Sequence, residues 1–263
     1  RDASWLDWSI LADLSADGRT ILFNETREGG GAKRAIYLRR DGMPAPVRIG
    51  DGSGDALSPD GKWVVAHNDA KLTLLPTGAG EARELKVDGA FDFGAAWLPD
   101  SRRIIAGGVV GKSGYQLHLI DTLDETVKPL TPPNIWNGAT RAFAVSPDAR
   151  FVAGMTAGET LALYPLDGSL QTTPIAGAEK GEVPITFTSD GAALFVYRPT
   201  ALPAQVTRIE LATGARTPWK EFTPSDPAGV YRIAPVFITP DGNAWAYNAL
   251  RTLSDLYVAE GLR

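Results

Sequence analysis

Several short stretches hold the residue types that chemistry requires. Residues 104–121, IIAGGVVGKSGYQLHLID, place Ala106, Gly111, Lys112 and Ser113 at the spacing of a loose phosphate-binding loop. Such a loop holds phosphate when a strand enters a glycine turn and a helix follows with its positive end toward the anion. After Ser113, however, Tyr115, Leu117, Leu119 and Asp121 alternate with Gln116, His118, Ile120 and Thr122, a period near two that describes a strand. Lys112 is then a cation on a turn. Asp92-Phe93-Gly94 matches the magnesium-binding triplet of one class of phosphoryl-transfer enzymes, and His67-Asn68-Asp69 lies upstream of it. That chemistry needs an asparagine five residues past the catalytic aspartate, where this chain has Leu74, together with a strand lysine and an early glycine-rich loop that it lacks. Residues 51–55, DGSGD, start like a calcium loop, but the sixth place is Ala56 and the twelfth Lys62, so the closing carboxylate is missing. His67 and His118 are the only histidines, no Gly-x-Ser-x-Gly elbow accompanies them, and their plainer reading is as packed or surface residues of strands. No catalytic residue, metal ligand or cofactor is assigned.

Composition narrows the classes further. The 263 residues carry 26 Lys plus Arg against 31 Asp plus Glu, a formal charge of −5, with the basic residues scattered. A nucleic-acid footprint is not expected from such a distribution. No apolar run approaches the roughly 18 residues that cross a bilayer, so no membrane contact is expected of this chain itself. A chain beginning at Arg1 reads as a piece of something longer. The absence of cysteine excludes disulfides, thiolate zinc sites and cysteine nucleophiles together.

The elements that would position any site come from a repeat. One phrase recurs six times: LSADGRTILF (14–23), LSPDGKWVVA (57–66), WLPDSRRIIA (97–106), VSPDARFVAG (145–154), FTSDGAALFV (187–196) and ITPDGNAWAY (238–247). Its aspartates, Asp17, Asp60, Asp100, Asp148, Asp190 and Asp241, are separated by 43, 40, 48, 42 and 51 residues. That spacing is one four-stranded propeller blade. Ser58 can accept a hydrogen bond from the turn backbone, Pro59 presets φ, and Gly61 can take positive φ, so the phrase is the hairpin between strands A and B of a blade. Where Ser101 and Ala149 replace the glycine, strain or a different turn shape is expected. The expectation is one all-β domain over 1–263, a six-bladed propeller of four-stranded antiparallel blades, with A–B turns near 15–18, 58–61, 98–101, 146–149, 188–191 and 239–242. After Asp241 only AWAYNAL and DLYVAEG remain, so the N-terminal residues 1–13 are expected to complete the last blade and close the ring. VVGKSG becomes the B–C hairpin of blade three, equivalent to REGGGAK (27–33) in blade one.

Two long D–A connections, TPPNIWNGATR (131–141) and FTPSDPAGVYR (222–232), bring Trp136, Asn137, Arg141, Tyr231 and Arg232 toward the rim that carries Arg198 and Arg251 on B–C turns. Aromatic and arginine side chains are enriched where interfaces hold their energy, and arginines on an acidic chain favour an anionic ligand or protein surface. These seven residues are the candidate binding patch. The alternative is that Trp136 and Tyr231 plug gaps between blades while the arginines pair with nearby carboxylates.

The six phrases resemble the TolB-like (WD40-like) group of six-bladed propellers. Longer stretches, RDASWLDWS (1–9), LLPTGAGEAR (74–83), LFVYRPTALPAQVTRIELATGARTPWKEF (194–222), SDPAGVYRI (225–233) and LSDLYVAEGLR (253–263), resemble the C-terminal propeller of bacterial eukaryotic-like serine/threonine protein kinases. The resemblance implies a kinase domain and a transmembrane segment upstream, and an extracytoplasmic sensor or protein-binding role for the propeller of a membrane-anchored parent. It transfers no catalytic residue, because the kinase motifs are absent here. A second class remains open, the substrate-gating propeller of a prolyl-oligopeptidase-like peptidase, which would continue into a hydrolase domain.

Overall fold

The computed structural model describes residues 3–6, 8–26, 30–31, 34–135, 142–169 and 171–252. Blade one comprises β1 (Ser9–Leu14), β2 (Thr20–Glu25), β3 (Ala35–Arg40) and β4 (Val47–Asp51), hydrogen-bonded in that order. Blade two repeats the meander with β5 (Ser53–Leu57), β6 (Trp63–Asn68), β7 (Lys71–Pro76) and β8 (Arg83–Glu84). Blade three has β9 (Ala90–Trp97), β10 (Arg103–Val109), β11 (Gln116–Asp121) and β12 (Val127–Pro129); blade four has β13 (Phe143–Val145), β14 (Phe151–Met155), β15 (Leu161–Pro165) and β16 (Thr173–Pro174). Blade five is β17 (Val183–Phe187), β18 (Ala193–Tyr197), β19 (Ala204–Glu210) and β20 (Arg216–Phe222). The sixth phrase lies in a two-stranded sheet, β21 (Val230–Ile238) with β22 (Trp245–Arg251).

Two expectations are therefore corrected. The described residues form five four-stranded blades and one two-stranded sheet, not six four-stranded blades, so the six-bladed ring that the TolB-like and kinase-propeller resemblances implied is corrected with it. The N-terminal segment does not complete the last blade: Ser9 pairs with Glu25 and Leu14 with Ile21, so β1 is the innermost strand of blade one, and Thr26 N donating to Trp8 O extends that pairing. Strand A precedes its A–B turn in every repeat, so the residues before Asp17 were needed by their own blade. The phrase 253–263 lies outside the described residues. The ring joins through contacts of β1 with β21 and β22, and Asn248 of β22 clamps β1 with both ends of its amide, accepting from Leu11 N at 2.5 Å and donating to Ser9 O at 2.8 Å.

The core is a series of apolar layers between neighbouring sheets. Leu22, Ile36 and Leu38 meet Val64 and Leu75 between blades one and two. Leu72 and Leu74 meet Phe91, Trp97 and Ile104 between blades two and three. Because each blade is covered on both faces, its B strand is apolar on both: Val64 and Val65, side by side in β6, are each fully buried. The outer D strands are short or proline-bearing, with Pro129, Pro174 and Pro218, which blunts their edges against pairing with other chains.

The A–B turns are closed alike. In the first, Gly18 N donates to Ser15 O at 2.8 Å, Ser15 Oγ donates to Asp17 Oδ1 at 2.6 Å, and Thr20 N donates back to Ser15 Oγ at 2.8 Å. Ser58–Asp60, Ser146–Asp148, Thr188–Asp190 and Thr239–Asp241 repeat the hydroxyl-to-carboxylate bond. In the third turn Leu98 replaces the hydroxyl residue, and Asp100 instead takes Arg102 N and Arg103 N, each at 2.9 Å. Ser101 and Ala149 hold the glycine position at φ +54° each, the left-handed conformation that costs non-glycine residues free energy.

Candidate binding site on the loop face

Consecutive antiparallel strands put all A–B turns on one face and the B–C turns and D–A connections on the other, the loop face. On the turn face the aspartates of the A–B hairpins are bonded within their own turns. Asp17, Asp148, Asp190 and Asp241 are held below the ordinary carboxylate pKa chiefly by the hydroxyl of their own turn. A cavity of about 160 Å3 lies between the fourth and fifth turns, and its two carboxylates, Asp148 and Asp190, are the ones already bonded to Ser146 and Thr188.

On the loop face, blades one to three bring together groups that keep bonding capacity. The β5 register shifts between Gly54 and Ala56, a bulge at Asp55, and β9 is irregular opposite Gly107, around Asp92. Bulges re-aim a side chain that a regular pleat would direct elsewhere. Asp55 Oδ2 thus lies 2.9 Å from His67 Nδ1 on the neighbouring strand. From blade one, Arg34 Nη1 donates to Ser53 Oγ at 2.9 Å, tying the start of β3 to the start of β5. A cavity of about 230 Å3 opens between the two blades, lined by Arg34, Gly52, Ser53, His67, Asn68 and Asp69. Burial opposes the charged imidazole of His67, but the bond to Asp55 and the charges of Asp55 and Asp92 outweigh it, so its pKa is raised above 6.5. Tyr115, stacked edge-on against Phe93 at 4.8 Å, has its phenol pushed well above 10 by burial and then by Asp92. His118 is different: it lies edge-on to Phe91 at 5.6 Å, 1% exposed, and burial lowers its pKa.

The residues expected to bind are placed as follows. Arg198, after β18, pairs with Glu179 Oε2 at 2.6 Å and donates to Lys180 O at 3.3 Å. Arg251, closing β22, pairs with Asp226 Oδ2 at 3.0 Å and donates to Asp226 O at 3.2 Å. Each arginine clasps the D–A connection that leads into its own sheet. Arg216 adds a bidentate pair with the buried Glu182, at 2.7 and 3.0 Å, and fixes the same connection as Arg198. Tyr231 is 55% exposed, whereas Arg232 is half-buried, its Nε enclosed without a hydrogen-bond partner among the described residues. The charge of Arg232 reaches Tyr197, whose phenol burial pushes up to about 12 against that charge. Trp136, Asn137 and Arg141 lie outside the described residues.

The motifs that suggested other chemistry are accounted for. Gly111, at φ +63°, and Lys112 form the turn between β10 and β11, Ser113 Oγ donates to Val110 O at 2.6 Å, and a strand follows where a phosphate-binding loop needs a helix. Asp92 is on a strand. Among the described residues no group of three His, Asp or Glu side chains is arranged to hold a metal, and no helix is long and apolar enough to cross a membrane.

No family model and no curated protein matches the chain. Its fold is similar to a structure from Agrobacterium tumefaciens assigned to TolB, with a TM-score of 0.65 at 17% identity over 94% of this chain and 93% of that one. It is also similar to TolB from Acinetobacter baumannii, with a TM-score of 0.57 at 18% identity over 79% of this chain and 53% of that one. Hydrazine synthase from Kuenenia stuttgartiensis gives 0.57 at 15% identity, covering 90% and 72% of the two chains. These likenesses show a TolB-type all-β propeller fold, an architecture that hosts many functions.

Proposed function

We propose that the chain is a non-catalytic sensor or interaction module that binds an anionic ligand or protein surface on its loop face. In this reading it is the extracytoplasmic domain of a membrane-anchored bacterial serine/threonine protein kinase. The contrast between the faces carries the binding part. The turn face spends the aspartates of its A–B hairpins on those hairpins, whereas the loop face holds a cavity bordered by Arg34 and His67 and presents Tyr231 beside Arg232. The pinned connections of blade five and the two-stranded sheet support it, since a surface ordered before association loses less entropy on binding. Trp136, Asn137 and Arg141 belong to the proposed patch through their place in the 131–141 connection. The kinase parent rests on the sequence phrases alone.

Three experiments test the interface, the parent and the absence of a nucleotide site. Tyr231→Ala combined with Arg232→Ala should weaken capture of a partner from the native host by about tenfold or more, the effect of losing interface anchors. Unchanged capture by that folded double variant, with loss on substituting Phe151 on the turn face, would put the interface on the wrong side. The reading frame upstream of Arg1 should encode a kinase domain and a membrane span; a frame continuing instead into a hydrolase removes the kinase parent. The isolated chain should show no ATP binding by calorimetry, and micromolar binding abolished by Lys112→Ala would contradict the hairpin reading of 104–121.

A further inference from the structure

The cavity between blades one and two is small and bordered by opposite charges. Its volume, about 230 Å3, lies below the ~300–1,000 Å3 of ordinary ligand pockets, so an occupant has few heavy atoms. A guanidinium and a carboxylate border it from neighbouring blades, Arg34 and Asp69. Among the described residues Arg34 makes one side-chain hydrogen bond, to Ser53 Oγ, and no ion pair, and Asp69 makes none. His67 has Nδ1 committed to Asp55, which leaves Nε2 for the cavity it lines. Asp69 and Ala70 both take positive φ, 49° and 63°, the two-residue hairpin conformation that pins Asp69 at the cavity edge.

We propose that this cavity binds a small α-amino acid as its zwitterion, the carboxylate on Arg34 and His67 and the ammonium on Asp69. A guanidinium fork matches a carboxylate in shape and charge. A simple anion would satisfy Arg34 but face Asp69, and a simple amine would meet the reverse conflict; only a ligand bearing both charges answers both walls. The proposal names a ligand class for the loop face and rests on the reading of that face as the recognition surface.

Calorimetry on the whole chain, with L-alanine, propionate and ethylamine as probes, tests it. L-alanine should bind at least about tenfold tighter than either single-charge probe, and Arg34→Ala should weaken it about tenfold or more, the loss of a charge-assisted hydrogen bond. Asp69→Asn should abolish the preference for alanine over propionate. Because Asp69 is exposed and bonds no other described residue, that variant keeps the test valid should Arg34→Ala fail to fold. Equal binding of the three probes, no heat from L-alanine up to about 10 mM, or undiminished binding by folded Arg34→Ala would each overturn the proposal. Failure here with partner capture still sensitive to Tyr231 and Arg232 removes the amino-acid site alone; failure of both removes the recognition face.

Discussion

His67 and His118 respond to pH in opposite senses although both sit in inner strands. The folded pKa of His67 is raised, so its bond to Asp55 contributes fully below 6.5 and is lost as pH rises through the folded value. The folded pKa of His118 is lowered, so the unfolded chain takes up a proton near 6.5 that the folded protein refuses, and stability falls as pH drops through that value. The two slopes oppose each other. Urea unfolding between about pH 5 and pH 8 should show a shallow dependence for the wild type. His118→Leu should leave stability declining only on the alkaline side, and His67→Gln only on the acid side; identical profiles for all three proteins would refute the assignment. Little of this site was legible in the sequence, because its charges come from three blades and each is ordinary in its own strand. One trace existed. The residue seven places after each turn aspartate is Asn24, His67, Gly107, Met155, Tyr197 or Asn248. A polar residue there, on a B strand packed between sheets, finds its partner on another strand: Gly54 for Asn24, Asp55 for His67 and β1 for Asn248.

At the scale of elements, the A–B hairpin is the unit whose chemistry can be edited. Ser146 is buried, donates to Asp148 Oδ1 at 2.6 Å and accepts from Phe151 N at 2.9 Å. Ser146→Ala should destabilise by about 1 kcal/mol through the unsatisfied Phe151 N–H. It should also let the Asp148 pKa return toward the ordinary carboxylate value, which a carboxyl NMR titration reads. Ala149→Gly in the same turn should stabilise by about 0.5–1 kcal/mol, because φ +54° no longer opposes a Cβ; a loss in thermal melts would mean that the packing of Ala149 outweighs the backbone term. These hairpins were legible because glycine, proline, aspartate and a hydroxyl residue each have a fixed task in them. The outer half of each sheet was not. Strands β8 and β16 are two residues long and carry no pattern of their own, and nothing in ITPDGNAWAY distinguishes a four-stranded sheet from the two-stranded one it begins. The turn phrase reports two strands and is silent on the rest of its sheet.

At the scale of the molecule, one device appears twice with different connectivity. Asn24 donates to Gly54 O at 3.0 Å and accepts from Gly54 N at 2.8 Å, joining blades one and two across 30 residues of chain. Asn248 does the same to β1 across 237 and 239 residues. Asn24→Ala should cost about 2 kcal/mol, because two buried backbone groups lose their partners. Asn248→Ala removes equivalent bonds from a less buried site and should cost no more at equilibrium. Similar stability losses would nevertheless conceal unlike kinetics. Bringing the ends of the longer loop together carries about 2 kcal/mol more closure entropy, so the Asn248 clamp forms after the blades have docked, whereas the Asn24 clamp belongs to a local early contact. Stopped-flow measurements should therefore find that Asn24→Ala slows refolding, while Asn248→Ala leaves refolding alone and accelerates unfolding. The Asn248 amide at the junction of first and last sheets then acts as a latch whose release rate, more than the depth of the native well, sets how long the closed ring survives.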